Sequence, residues 1–92
     1  MLFRSVEEAL AGIFGERRDL AVMAVADERK GERLVLVTNA RDADLRKVRD
    51  VLREKGHSDL TFPREIIYMK DLPRLGTGKP DYVKLKEMLG NR

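Results

Sequence analysis

Two short apolar runs, at residues 20–25 and 33–38, constrain the fold of this chain more than any other feature. Each has the length of a single strand, and the polar segment between them contains Gly31, which favours a turn. The two runs therefore predict an antiparallel pair of strands. A third strand is predicted at residues 65–69, shortly after Pro63.

Three segments carry apolar side chains at helical spacing. In the first, Ser5 and Glu8 form a Ser-x-x-Glu capping box, which predicts a helix with Ser5 as its N-cap. The second is predicted over 42–55, capped by either Asp42 or Asp44. The side chains predicted to face the core are Val6, Ala9, Leu10, Ile13, Phe14, Leu45, Val48, Val51, Leu52, Tyr82, Leu85, Met88 and Leu89.

The order of these segments predicts an α+β domain, a small three-stranded sheet packed with about three amphipathic helices. The run 33–38, the helix 42–55 and the strand 65–69 fit a right-handed crossover unit. With 92 residues the chain has enough length for one small domain, and we expect residues 1–92 to form it.

A loop with two glycines, Gly76 and Gly78, precedes the last predicted helix, which runs to residue 89. Pro80 is predicted to open that helix, which places Lys79 near its N-cap and makes Thr77 a candidate cap. A cation at the positive end of a helix costs about 0.3–1 kcal/mol, and a bound anion would offset that cost. An ordinary solvated lysine explains the spacing equally well.

Composition excludes several kinds of site. The chain has no cysteine and a single histidine, His57, so a disulfide framework, a metal site and a Ser/His/Asp triad are not expected. No apolar run approaches the length of a membrane span. Residues 1–62 balance acidic against basic side chains, so the net charge of +3 comes from residues 63–92 and indicates an anionic partner. Few aromatics and no tryptophan argue against nucleic acid.

The segment 73–79 reads Pro-Arg-Leu-Gly-Thr-Gly-Lys and resembles the last signature motif of the AMP-forming acyl synthetases. This superfamily includes acyl-CoA synthetases, peptide-synthetase adenylation domains and firefly luciferase. Blocks at 6–10, 27–32 and 63–66 resemble other parts of its C-terminal domain, in the same order. The likeness extends over about residues 5–89 and implies the small α+β domain that ends these enzymes.

The resemblance implies a role for each residue of this loop. Lys79 matches the family's catalytic lysine, and Arg74, Gly76, Thr77 and Gly78 match the loop that approaches substrate and nucleotide. The cofactor implied is ATP with magnesium, held mainly by a large N-terminal domain. That domain and the hinge are not within the 92 residues, so we expect a C-terminal lid that is inactive alone and binds no metal.

Residues 63–70 and 78–86 look most like the bifunctional acyl-[acyl-carrier-protein] synthetase / 2-acylglycerophosphoethanolamine acyltransferase group. That likeness implies a fatty acid substrate, acyl carrier protein or coenzyme A as the thiol acceptor, and a role in phospholipid metabolism. It also implies a cytoplasmic location, at the inner face of the bacterial membrane. The alternative is a free-standing, non-catalytic module that binds an acidic carrier protein or partner subunit.

Overall fold

The computed structural model describes residues 4–14, 19–27, 29 and 31–89. Its elements follow one another as α1 (Arg4–Phe14), β1 (Leu20–Asp27), β2 (Gly31–Thr38), α2 (Leu45–Glu54), a short 3-10 turn (Asp59–Thr61), β3 (Glu65–Tyr68) and α3 (Tyr82–Leu89). The predicted α+β class, the three helices and the three strands are thereby confirmed.

The sheet has the strand order β1-β2-β3. β1 and β2 pair antiparallel from Leu20 opposite Thr38 to Asp27 opposite Gly31. β2 and β3 pair parallel, with Val35 opposite Glu65, because α2 carries the chain back across the sheet. The predicted pairing is confirmed, and the hairpin is longer than predicted because both strands continue into the polar segment between them.

Alternating side chains of the strands face two separate cores, so the sheet lies between two helical layers. On one face, β1 and β2 pack with α1, α2 and Phe62. On the other face they pack with Leu72 and α3, through Leu85 and Leu89. The segment 73–81 follows Leu72 and precedes α3, so this second core positions it.

The predicted N-cap of α1 is wrong, whereas the N-cap of α2 is one of the two predicted residues. α1 begins at Arg4, one residue before Ser5, so Ser5 lies inside the helix rather than at its N-cap. α2 is capped by Asp44, whose side chain accepts the Arg46 N–H at 2.8 Å, which settles the choice between the two aspartates.

α3 begins at Tyr82, two residues later than predicted. Asp81 caps it: its carboxylate accepts the Lys84 N–H at 3.1 Å and its carbonyl accepts the Leu85 N–H at 3.0 Å. An aspartate at this position satisfies free N–H groups of the first turn. The prediction that Pro80 opens the helix is therefore wrong.

The predicted core is confirmed for most described positions, with one clear exception. Met88 is 52% exposed, whereas Leu85 is fully buried. Leu85 and Leu89 lie one helical turn apart and face the sheet, and Met88 falls outside that stripe. The predicted core positions 13 and 14 lie outside the side chains that the structure describes.

Candidate functional site

The segment 73–81 forms a closed β-hairpin, which we call the Lys79 hairpin. Arg74 and Pro80 form an antiparallel bridge. Leu75 donates its N–H to the Lys79 carbonyl at 2.8 Å, and its own carbonyl accepts the Gly78 N–H at 2.9 Å. The chain therefore turns through residues 76–78 within a regular hydrogen-bond pattern.

Gly78 makes this turn geometrically accessible. Its φ is +89°, the left-handed region that favours glycine, whereas Gly76 has no positive φ. A Cβ at either position would meet no atom within 4 Å. A three-residue hairpin loop commonly ends with a left-handed glycine, so the φ angle, and not a lack of space, requires glycine at position 78.

Lys79 is exposed and lies at the exit of this turn. Within the described residues, no carboxylate lies within 4.0 Å of its ammonium group. Asp81, and neither Lys79 nor Thr77, occupies the N-cap of α3. The predicted conflict between Lys79 and the helix dipole, and the predicted capping by Thr77, are therefore wrong. What the hairpin offers is an exposed lysine held out on a short, closed turn.

An ion pair joins the base of the Lys79 hairpin to the sheet. Arg74 contacts the carboxylate of Asp19, which lies directly before β1. Asp19 is itself fixed, because its N–H donates to the Asn39 side chain at 2.9 Å and its carbonyl accepts the Thr38 hydroxyl at 2.6 Å. The sequence predicted Arg74 as a residue of the substrate and nucleotide loop, and the structure also gives it a partner inside the domain.

A second contact lies just after the hairpin. The Tyr82 hydroxyl donates to the Glu7 carboxylate, at 2.6 Å from Oε2 and 2.7 Å from Oε1. Glu7 Oε2 also accepts the backbone N–H of Val22 at 2.7 Å. One carboxylate thus joins α1, β1 and the first residue of α3, and sequence analysis missed this group because its members are far apart in the chain.

No family model matches the sequence. Among solved structures, the amide bond synthetase McbA from Marinactinospora thermotolerans is 27% identical, over 95% of this chain and 18% of McbA, with a TM-score of 0.72. The Mycobacterium tuberculosis fatty acyl CoA synthetase is 21% identical, over 94% and 17%, with a TM-score of 0.76. ATP-bound MatB from Rhodopseudomonas palustris is 22% identical, over 92% and 17%, with a TM-score of 0.72.

The likeness to McbA supports a relation of this chain to the superfamily of AMP-binding acyl and amide synthetases. The likeness to the other two structures shows that the fold is shared. The chain spans less than a fifth of the length of each of these synthetases. Each alignment covers nearly all of this chain, so the likeness to the synthetases includes the sheet and the helices on both of its faces.

α2 carries a second charged surface of this synthetase-like domain. Arg46, Arg49 and Arg53 line an open depression together with Asp44 and Asp50. These arginines share one flank of the helix, because they are spaced by three and four residues. Within the part of the chain that the structure describes, none of the three forms an ion pair. We call these three side chains the α2 arginine face.

The Phe62 ring orients one member of this face. The Arg53 guanidinium lies 5.9 Å from the centroid of that ring, and Phe62 itself is buried. A similar contact joins the Arg41 guanidinium to the Tyr68 ring. Arg41 Nε also donates a hydrogen bond of 3.0 Å to the phenol oxygen, and this bond raises the pKa of Arg41. Both contacts restrain arginine side chains without neutralising them.

Among the described residues, no group of three His, Cys, Asp or Glu side chains has a geometry that would hold a metal ion. None of the described helices has both the length and the apolar character of a membrane-spanning segment.

Proposed function

We propose that this chain acts as the C-terminal lid of an ATP-dependent, AMP-forming ligase, with Lys79 as the lysine that acts in adenylation. The observation that supports this most is Lys79 itself, an exposed cation on a closed hairpin with no carboxylate of the described residues within 4.0 Å of its ammonium group. The likeness of the fold to acyl and amide synthetases supplies the second argument. The large adenylating domain and the hinge belong to the same proposal.

The chemistry explains why a free cation is needed. In adenylation a carboxylate attacks the α-phosphate of ATP and releases pyrophosphate, so two anions must approach one another. A lysine between them reduces their repulsion and fixes their geometry. Lysine suits this task because its charge is compact and its stem is long. In this proposal ATP and magnesium are held mainly by the large domain, and the hairpin brings Lys79 to them.

The finer proposal concerns the acceptor. The likeness of residues 63–70 and 78–86 to the bifunctional acyl-[acyl-carrier-protein] synthetases supports a fatty acid substrate and acyl carrier protein as the thiol acceptor, with coenzyme A as the alternative. On the same likeness, the ligase would be a cytoplasmic enzyme at the inner face of the membrane and would also reacylate lysophospholipid. Comparing the two acceptors with the complete ligase tests this choice, and preference for free coenzyme A would contradict it.

The test of the lid role uses Lys79→Ala in the ligase polypeptide that contains this domain. Acid-dependent pyrophosphate exchange should fall on the order of 10²–10³-fold, as when other well-placed electrostatic donors are removed. Thioester formation from supplied acyl-adenylate should persist, because that step starts after adenylation. Lys86→Ala is the matched control, since Lys86 is also an exposed lysine and lies on α3.

Either of two results would reject the assignment. Unchanged pyrophosphate exchange in Lys79→Ala would remove Lys79 from adenylation. Equal loss of both half-reactions would indicate general damage to the lid rather than loss of one charge.

A second candidate function is docking of an acidic protein, and the α2 arginine face favours it. Arg49 and Arg53 are like charges four residues apart, an arrangement that costs an isolated helix a few tenths of a kcal/mol. An acidic partner helix would offset that cost and complement the face. The buried Phe62 ring beneath Arg53 offers no exposed surface on which a nucleic acid base would stack.

This candidate is tested by titrating the domain with acyl carrier protein at low and high salt. Binding should weaken with salt, because exposed charges are screened. Arg49→Glu together with Arg53→Glu should weaken it further, whereas the control pair Lys84→Glu and Lys86→Glu on α3 should not. Equal effects of the two charge reversals would show attraction by net charge alone and would reject a site on α2.

A further inference from the structure

Two side-chain contacts, Arg74 with Asp19 and Tyr82 with Glu7, join the Lys79 hairpin and the residue that follows it to the rest of the domain. We propose that Glu7 and Asp19 are positioning residues: through Tyr82 and Arg74 they fix the direction in which Lys79 is presented. This inference rests on the proposed function of Lys79 in adenylation. We call the two contacts together the clamp.

The first half of the clamp is Glu7 with Tyr82. The phenol donates to the carboxylate at 2.6 Å, a short charge-assisted hydrogen bond. β1 is an edge strand, and Val22 donates its N–H to the same carboxylate at 2.7 Å rather than to a neighbouring strand. Glu7 is therefore held by the sheet while it holds Tyr82, so its position is not free to follow the hairpin.

The second half is Asp19 with Arg74. The backbone of Asp19 is bound in both directions by the end of β2, through Asn39 at 2.9 Å and through Thr38 at 2.6 Å. Thr38 is fully buried. Asp19 is thus an anchored acceptor, and the exposed Arg74 side chain reaches it from the hairpin.

The two halves are placed at opposite ends of the hairpin. Arg74 lies on its first strand, opposite Pro80, and Tyr82 follows its last residue, Asp81. The second core already holds Leu72 before the hairpin and α3 after it, and the two side-chain contacts restrain the orientation of the hairpin further, one at each end. Lys79 lies between them in the sequence, so its backbone direction is set by both.

Fixed presentation matters because Lys79 must meet a reacting centre held by another domain. A misplacement of about 1 Å far from the chemistry costs on the order of 10²-fold in rate. The side chain of lysine is long and flexible, so the clamp supplies the precision that the side chain lacks. Its loss should slow adenylation without changing the acceptor step, in which this lysine takes no part.

The experiment uses the complete ligase with Tyr82→Phe, which removes the hydrogen bond to Glu7, and with Asp19→Asn, which removes the negative charge that pairs with Arg74. Both substitutions nearly keep the shape of the side chain. We expect kcat for pyrophosphate exchange to fall about 10–100-fold with little change in the KM for ATP. Thioester formation from supplied acyl-adenylate should stay unchanged. Asp19→Glu keeps the carboxylate and should recover part of the lost rate.

Two matched controls come from the far edge of the sheet. Tyr68→Phe removes a hydroxyl that contacts Arg41 at 3.0 Å, and Glu65→Gln weakens the ion pair with Arg33, also 3.0 Å long. Neither residue belongs to the hairpin or to the elements that hold it. Both controls should leave pyrophosphate exchange unchanged, even if they lower the melting temperature as much as the clamp variants do.

The outcomes separate this inference from the proposed function. If Lys79→Ala abolishes exchange while Tyr82→Phe and Asp19→Asn leave it unchanged, the clamp is overturned and the lid role stands. If the clamp variants lose both half-reactions together, in step with their stability, the contacts are structural and the clamp is again overturned. If Lys79→Ala itself has no effect, the proposed function fails and the clamp fails with it.

Discussion

The conformation of Gly78 gives the sharpest prediction for the isolated 92-residue chain. Its φ of +89° is rarely adopted by a residue with a Cβ. Gly78→Ala should therefore destabilise the hairpin through backbone strain alone, since the added methyl group would contact nothing within 4 Å. Gly76→Ala is the matched control, because it adds the same methyl group two residues away where φ is not positive.

The expected changes in the free energy of unfolding follow from the φ of Gly78, which is positive, and from that of Gly76, which is not. A left-handed conformation costs an L-residue about 1–2 kcal/mol. At a compatible position, alanine in place of glycine stabilises by about 0.4–1 kcal/mol, because the unfolded chain loses freedom. The free energies of unfolding of the two variants should therefore differ by about 1.5–3 kcal/mol, taking these two ranges together. For a domain of this size that is a difference in melting temperature of at least about 6 °C.

Thermal unfolding followed by circular dichroism measures this difference directly. Hydrogen exchange of the Gly78 and Leu75 amides shows whether the strain appears as local opening of the hairpin, since these N–H groups close the turn. The free energy of unfolding of Gly78→Asn should lie between those of the unsubstituted chain and Gly78→Ala, because asparagine tolerates the left-handed region better than alanine does. Equal stability and equal exchange in Gly78→Ala and Gly76→Ala would refute the argument.

Two further predictions concern α3. Leu85→Ala should lower the free energy of unfolding by about 2–5 kcal/mol, because it opens a cavity in the second core. Met88→Ala, at a half-exposed position, should change it by no more than about 1 kcal/mol. Urea unfolding measures both variants, and similar losses would contradict the assigned orientation of the helix. Asp81→Ala should cost about 0.5–2 kcal/mol as the loss of an N-cap, and Thr77→Ala should cost clearly less in the same assay. A larger loss for Thr77→Ala would show that the helix begins earlier.

Local patterns predicted the frame of this domain well. The lengths of the apolar runs predicted β1 and β2. The helix predicted between the second and third strands implied that these two strands are parallel, because a crossover returns the chain in the same direction. The start of α3 was wrong because two local signals competed there. Pro80 fits a first helical position, but Asp81 is the better cap, and Pro80 instead closes the hairpin opposite Arg74.

The side-chain partners of the hairpin were beyond sequence reasoning. Tyr82 and Glu7 are separated by 75 positions, and Arg74 and Asp19 by 55. Each of these residues looks locally like an ordinary helix or loop residue, and only the packing of α1 and α3 around the β1 edge brings them together. For Arg74 the motif indicated a residue of the substrate and nucleotide loop, which stays a prediction, and it gave no sign of the ion pair with Asp19.

The two charged surfaces proposed for function lie on opposite sides of the sheet. The Lys79 hairpin is continuous with α3 and the second core, whereas the α2 arginine face is carried by a helix of the first core. If Lys79 serves adenylation and the arginine face serves the acidic acceptor, one orientation of the lid cannot present both to the same active site. Turning the lid between half-reactions would present them in sequence. Charge reversal on α2 should then impair the acceptor step alone, because pyrophosphate exchange uses the opposite side of the domain.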